Sequence, residues 1–349
     1  MKQIRTKIKL TKDTKVLVVS DIHLRLPITN ELAMIQASLV ERISELSSHK
    51  TAILVFNGDI FELWEQSSQT VEEIISGFAD LTKAIREFSG PGHQVIFTVG
   101  NHDDAILQTQ TNTEVIKKHW LAKVMTNLEF EMNSKLVLIE HGHEHDSYNK
   151  SGDESSTHGK TLVKSTLPKL IKHAPSIFVG IGDVVNRAYL PTYVLSRLIY
   201  GLVVPIVMPI TLIFCIYFYM QNKDIRFITA FFVVWLIAWL IVLVADNILR
   251  MIAKLTFGGG SKYLGDIDGY QAKEGFDVLV LGHTHDGGVW KRQNYTYANS
   301  GCNDTIAVPR LGWLGLHRFN RFVQMSDITI EPNKKQPINY HEHIATLVK

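Results

Sequence analysis

Five short segments of the chain are apolar for the length of a buried strand and then stop at a polar cluster. They read Lys-Val-Leu-Val-Val-Ser-Asp21-Ile-His23, Ala-Ile-Leu-Val-Phe-Asn-Gly58-Asp59, Gln-Val-Ile-Phe-Thr-Val-Gly100-Asn101-His102-Asp103, Lys-Leu-Val-Leu-Ile-Glu-His141-Gly142-His143 and Phe-Asp-Val-Leu-Val-Leu-Gly282-His283-Thr-His285. A strand apolar on both faces belongs inside a sheet covered on both sides, and the polar cluster falls where the strand emerges. Between these runs, apolar residues recur at helical spacing. Residues 31–46 place Leu32, Ile35, Leu39, Ile43 and Leu46 on one face, and residues 71–88 do the same with Ile74, Ile75, Phe78, Leu81 and Ile85. The alternation over residues 15–145 predicts crossover units and a central sheet flanked by helices. The strand rhythm resumes at Phe276, with short strands expected around 294–298 and 322–330.

The pattern changes in the middle of the chain. Residues 151–160 are small and polar and read as a loop or linker. Residues 160–199 carry Lys160, Lys164, Lys169, Lys172, Arg187 and Arg197 against Asp183 alone. Two uncharged apolar stretches follow, 201–220 and 227–245, joined by a polar turn at 221–226. Each approaches the ~20 residues a helix needs to cross ~30 Å of hydrocarbon. Neither has the polar stripe of a soluble helix. Pro205 and Pro209 are better tolerated in a transmembrane helix than in a soluble one. The expected organisation is an α/β domain in two parts, residues 1–158 and 262–349. A membrane insertion at 159–261 separates them, with transmembrane helices near 201–220 and 227–245, and Gly258, Gly259 and Gly260 mark the return.

Composition refines this picture. The 349 residues suffice for a large domain plus an insertion, and a net charge of +2 gives no nucleic-acid footprint. Cys215 in an apolar run and Cys302 in a polar one do not suggest a disulfide, which suits a reducing compartment. Residues 1–15 are basic and polar, without the apolar core of a signal peptide. Basic residues before Gly201, with Arg250, Lys254 and Lys262 after the second stretch, put the domain and both termini on the cytoplasmic side of the inner cell membrane by the positive-inside rule. Lys223 and Arg226 in the turn, against Asp224, act the other way. Residues 160–172 read equally as a solvated basic helix or as one lying along anionic headgroups.

The strand-end clusters carry the chemistry. Carboxylates, an amide and several of the 15 histidines gather at one sheet edge, a donor set that can hold two divalent cations side by side. Asp21 and His23 are two apart, as are His283 and His285, so each pair can turn inward as its strand gives way to a loop. Asp59 follows Gly58, a residue that lets backbone approach a metal, and Asn101 offers a neutral carbonyl oxygen. A paired-cation site acts on phosphate esters.

The ordered set Asp-x-His, Gly-Asp, Gly-Asn-His-Asp, His-Gly-His and Gly-His-x-His resembles the calcineurin-like metallophosphoesterases over about 10–150 and 262–310. The resemblance implies a fold of two packed mixed β-sheets flanked by helices, four layers in all, here with an inserted transmembrane hairpin. It implies Asp21, His23, Asp59 and His285 on one metal, and Asp59, Asn101, His141 and His283 on the other, with Asp59 bridging. His102 would be the general acid, Asp103 or Glu62 would orient it, and His143 and Asn101 would touch substrate phosphate. His145 reads as a supporting or loop residue. The implied cofactors are two divalent ions, with Mn2+ preferred over Zn2+ or Fe, and the implied reaction is in-line attack by a metal-bridging hydroxide.

The segment Gly58-Asp59-Ile-Phe-Glu62-Leu-Trp64 is similar to the bacterial UDP-2,3-diacylglucosamine pyrophosphohydrolases, which cleave a lipid-linked diphosphate. That family has arginine where His102 stands. Protein phosphatases of the same superfamily carry Asp-Arg-Gly where Glu62-Leu63-Trp64 stands. The hairpin interrupts the domain between His141 and His283, so it is expected to emerge close to the metal face and to favour substrates in the bilayer. The expected activity is hydrolysis of a phosphodiester or pyrophosphate bond in a lipid or lipid-linked substrate. The alternatives are a phosphodiesterase on soluble nucleotides with the hairpin as a plain anchor, and a catalytically silent scaffold. The oligomeric state is not specified by these features.

Overall fold

The computed structural model describes residues 4–64, 69–146, 166–178, 180–181, 183–184, 189–257, 266–312 and 315–346. The 151–160 linker and Gly258, Gly259 and Gly260 lie outside the described residues. The chain divides into two units. The first holds Met1–Ser165, Ser261–Ile306 and Phe322–Lys349, and the second holds Thr166–Gly260 and Ala307–Arg321.

The first unit contains two mixed sheets. In chain order its elements begin with β1 (Arg5–Lys9), β2 (Thr14–Val19), α1 (Asn30–Ser47), β3 (Thr51–Asn57), α2 (Val71–Gly77), α3 (Ala79–Phe88) and β4 (His93–Thr98). They continue with α4 (Ala105–Gln108), α5 (Gln110–Trp120), β5 (Lys123–Met125), β6 (Asn127–Met132) and β7 (Lys135–Glu140). In the second unit lie α6 (Leu167–His173), α7 (Pro175–Phe178), α8 (Leu190–Leu198), α9 (Met208–Asn222) and α10 (Arg226–Phe257). After these come α11 (Ile267–Glu274), β8 (Val278–Leu281), β9 (Gly288–Lys291), β10 (Thr296–Asn299), β11 (Asp304–Leu311), β12 (His317–Ile330) and β13 (Ile338–Thr346). One sheet has the order β1-β6-β7-β8-β10-β9; the other runs β11-β12-β2-β3-β4-β5, with β13 pairing to β12.

Burial explains the layering. Alternate residues of β2, β3 and β4 (Val16, Val18, Ile53, Val55, Ile96) meet Phe130, Val137, Ile139, Val278 and Val280 in the core between the sheets. The opposite faces of the same strands pack Leu54, Phe56 and Phe97 against Leu32, Ile35 and Leu39 of α1 and against α3 and α5. Leu138, Leu279 and Leu281 on the outer face of the second sheet are covered by Phe276 and the α11 residues Ile267 and Tyr270. The four-layer arrangement of helices and two mixed sheets expected from the strand runs is therefore observed.

The five expected helical positions of α1 are its buried residues. Residues 71–88 form two helices rather than one. A capping box between Thr70 and Glu73 starts α2, and the chain kinks at Phe78, where Gly77 gives Leu26 a seat that a Cβ would fill.

In the second unit the helical segments are longer than the apolar stretches predicted. Leu190–Asn222 is helical over 33 residues, and Arg226–Leu255 over 30, with only 6% of each apolar window buried. Between α8 and α9 the helix widens to π geometry over Ile199–Val207, around Pro205, which lacks the N–H that α-helical bonding needs. Trp235 Nε1 donates to Thr211 Oγ1 at 3.1 Å and ties α10 to α9.

Phe130 is fully buried between the two sheets. Phe130→Ala should cost about 3–5 kcal/mol of unfolding free energy by denaturant titration. A loss below about 1 kcal/mol would show that the sheets do not pack through this residue.

Candidate metal centre

The polar clusters sit at the ends of β2, β3, β4, β7 and β8, which pair in parallel within their sheets, so the like ends of these strands lie on one edge. The chain must turn sharply there to aim side chains back across the edge. Asp21, His23, Asp59, His283 and His285 all have positive φ, between 51° and 65°. Asp and His tolerate the left-handed region better than most residues, and such conformations concentrate at functional sites. The glycines have a steric role. A Cβ on Gly58 (φ +78°) would strike the His141 ring, and one on Gly100 would strike the Asp59 carboxylate. Gly58 thus makes room for a histidine from the other sheet, a packing constraint beyond the backbone freedom expected of it.

Ligand-type atoms of Asp21, His23 and His285 lie within 4.8 Å of one another, and so do those of Asp59, His141 and His283. A third triple, His23, Asp59 and His102, joins the two groups. His141 Nδ1 lies 3.0 Å from Asn57 O, which leaves its Nε2 facing Asp59 Oδ2 at 3.1 Å. His285 Nε2 is 3.1 Å from Asp21 Oδ1, and Asp21 Oδ2 accepts the His283 backbone N–H at 3.0 Å and the Ser20 hydroxyl. Asn101 Oδ1 is buried and has no hydrogen-bond partner among the described residues. An unsatisfied buried carbonyl oxygen is costly unless something occupies its lone pairs. Together with imidazole nitrogens and two carboxylates, it makes a donor set that fits divalent cations.

The electrostatics are those of charges confined together. Burial works against ionisation of Asp59, but the His141 and His102 imidazoles outweigh it and hold its carboxyl well below the usual range. Asp21 is lowered against burial in the same way by His141 and His285. Burial also opposes the charged form of His141, yet Asp59 and Asp21 push it up to about 9. His283 is driven down to about 4, chiefly by burial.

Around this core stand supporting groups. Glu62 Oε2 lies 2.7 Å from His102 Nδ1 and 3.3 Å from His23 Nδ1, and Glu62 Oε1 accepts the Trp64 backbone N–H at 2.8 Å. The Trp64 ring stacks on His102, with centroids 4.2 Å apart and an interplanar angle of 23°. Asp103 faces elsewhere: its carboxylate accepts the backbone N–H of Ile60 at 2.8 Å and of Gly100 at 2.6 Å, which locks together the loops carrying Asp59 and Asn101. Burial and the nearby Asp59 charge push Asp103 up to about 7. His143 is buried, with its ring 5.5 Å from that of His141 and outside the three ligand triples. His145 Nε2 lies 2.6 Å from Glu140 Oε1.

Two supporting residues have no counterpart in the sequence reading. Asp146 Oδ2 is 2.9 Å from His283 Nε2, the carboxylate–histidine contact that fixes a ligand's orientation. Its only sequence signal is its place just after the His141–His145 cluster. Trp64 enters the sequence reading only as the end of the Gly58–Trp64 segment, and nothing local announces its stacking on a histidine from another strand end.

A family model described as calcineurin-like phosphoesterase matches residues 14–201. A search of curated protein sequences finds no match to this chain. Solved structures similar to it include a dimetal phosphatase from Danio rerio, at 10% identity and a TM-score of 0.35, covering 96% of this chain and 99% of that one. Another is an archaeal phosphodiesterase, at 11% identity and a TM-score of 0.35, covering 95% of this chain and 99% of that one. A third is an uncharacterised protein from Streptococcus pneumoniae, predicted to be a phosphoesterase, at 11% identity and a TM-score of 0.29, covering 94% and 97%. Ordered ligand clusters at five strand ends, and a family match over more than half of the sequence, lead to one conclusion: the chain belongs to the calcineurin-like phosphoesterases and is a metal-dependent phosphoester hydrolase.

Proposed function

We propose that this protein is a membrane-anchored dinuclear phosphoesterase acting on a phosphodiester or pyrophosphate bond in a lipid or lipid-linked substrate. The observation that carries the dinuclear reading is the position of Asp59. It forms one triple with His141 and His283, and another with His102 and His23, the last of which belongs to the Asp21–His285 group. Asp21, His23, Asp59 and His285 would hold one cation; Asp59, Asn101, His141 and His283 would hold the other. Mn2+ is the working assignment, although Asp, His and Asn donors also accept Zn2+ or Fe. When bound, such a pair supplies Lewis-acid stabilisation of phosphate charge and activated water near neutral pH.

The chain's own residues divide the remaining work. His102 holds a proton at Nδ1 toward Glu62, which leaves Nε2 to serve a leaving oxygen as general acid. Glu62 favours the charged, proton-donating imidazole. Burial opposes its ionisation, but His102 and His23 keep it well below the usual carboxylate range. Trp64, stacked on the ring, restricts its rotation. Asp103 acts through the backbone it fastens, and His143 and Asn101 are assigned to substrate phosphate.

The membrane reading rests on the two helices, whose length and low burial suit a bilayer. Thr166–Gly260, the larger part of the helical unit, is inserted in sequence between His141 and His283, so a bilayer crossing there would tether the catalytic unit on both sides of the insertion. Tethering raises effective concentration for a substrate in the same membrane. The basic outer ends support a cytoplasmic catalytic unit.

Asp59→Ala should lose both metals and all turnover, with metal content read by mass spectrometry of the purified protein; one metal retained at full occupancy would exclude a bridging role. His102→Ala should keep its metals while kcat falls roughly 10²–10⁴-fold. Loss of metal in that variant would make His102 a ligand instead. Detergent-purified protein with Mn2+ should hydrolyse lipid phosphoesters well above soluble nucleotides in side-by-side assays. Equal or inverted rates would leave the hairpin as a plain anchor.

A further inference from the structure

The segment Ala307–Arg321 includes parts of two paired strands of a mixed sheet, β11 and β12, yet it belongs to the helical unit. It includes the outer part of β11, from Ala307 to Leu311, and the start of β12, from His317 to Arg321. We propose that this β-finger lies in the headgroup layer of the bilayer and that Arg310 and Arg318 bind the phosphates of anionic phospholipids. The inference rests on the reading of α9 and α10 as membrane-crossing.

Depth comes first. At the tip, Tyr200 donates its hydroxyl to Leu316 O at 3.3 Å. A Cβ on Gly315 would meet Leu243 Cδ2 at 3.4 Å. The finger therefore bonds to Tyr200 on one helical span and passes close to Leu243 on the other. Tyr200 precedes Asn222 at the end of its span, and Leu243 follows Arg226 at the start of the next. At about 1.5 Å per α-helical residue, and less through the π segment, these separations from the connecting turn are about 30 Å and about 26 Å, close to the ~30 Å hydrocarbon thickness. The tip thus meets the helices at the depth where hydrocarbon gives way to headgroups. Tyr200 is a residue type favoured there.

Charge comes second. The helical unit has only three acidic residues, and each is already engaged. Arg321 Nε donates to Asp183 at 2.7 Å; Thr192 Oγ1 donates to Asp246 at 2.6 Å, with Arg250 Nε 3.2 Å away; Arg226 donates to Asp224 at 2.8 Å. The segment 307–321 itself contains no acidic residue. Arg310 and Arg318 are exposed and have no ion pair among the described residues. The Arg318 guanidinium lies 4.1 Å over the Tyr200 ring, which supports its stem while the cation stays outward.

Apolar surface comes third. Leu311 is 67% exposed and Val308 41% exposed beside these arginines. An apolar edge flanked by cations suits the boundary between acyl chains and phosphate. A guanidinium also matches a phosphate with paired donors.

The test uses the full-length protein reconstituted into nanodiscs of phosphatidylcholine with 30 mol% phosphatidylglycerol, the retained lipids being counted by native mass spectrometry. Wild type should retain phosphatidylglycerol in preference to phosphatidylcholine. R310Q/R318Q should lose that preference, by roughly fivefold per arginine removed, while R310K/R318K keeps much of it. Mn2+-dependent hydrolysis of a soluble aryl phosphodiester should be unchanged in both variants, which shows the fold intact. An unaltered lipid preference in R310Q/R318Q overturns the proposal. Alkaline carbonate extraction separates the two levels of the argument. Release of wild type into the supernatant would sink the membrane reading and the finger with it, whereas retention with an unchanged preference would sink the finger alone.

Discussion

The constraint on which the site depends is the burial of two carboxylates at a sheet edge without a lysine or arginine to pair them. Asp21 and Asp59 are 0% and 2% exposed, and their close partners among the described residues are imidazoles and backbone or hydroxyl donors. A buried ion is tolerated only when opposite charge and hydrogen bonds replace water. Imidazoles meet that demand halfway, since they can be cationic or can become neutral ligands as a divalent ion takes over the neutralisation. The left-handed backbone at five candidate ligand positions and the collisions that Gly58 and Gly100 avoid follow from the same demand. Each brings another donor close to these two aspartates.

Much of this was legible from sequence because it is local. The runs that end at Asp21, Asp59, Asn101, His141 and His283 became the central strands, and the helical spacing of Leu32, Ile35, Leu39, Ile43 and Leu46 became the buried face of α1. What escaped is non-local. Asp146 looks like one more polar residue in a loop until the chain returns at His283, more than a hundred residues later. Trp64 and His102 come from different strand ends, and neither reveals that their rings will stack. Sequence also left open whether Asp103 or Glu62 faces His102. The structure gives Glu62 that contact and directs Asp103 to two backbone N–H groups, a difference set by loop geometry and invisible in residue type. The kink at Phe78 rests on Leu26 fitting over Gly77, again a contact between distant positions.

The division of labour between the two units also has a physical basis. The first unit is rich in long-range packing and holds every ligand candidate, so its precision comes from two sheets that cannot slide without voids. The second exposes long apolar helices and carries most of its cations beyond their outer ends, with Lys223 and Arg226 in the connecting turn. Under the proposed anchoring, the enzyme would meet substrates of the same membrane at raised effective concentration, which suits cleavage of a lipid-linked phosphate.

The central claim is that Asp59 is shared by two cations. Anomalous diffraction from crystals grown with Mn2+ tests it most directly. The account predicts two peaks about 3.5–4 Å apart, one on each side of the Asp59 carboxylate, with Asp21 and His285 at one and His141 and Asn101 at the other. A single peak, or two peaks that do not both contact Asp59, would contradict it.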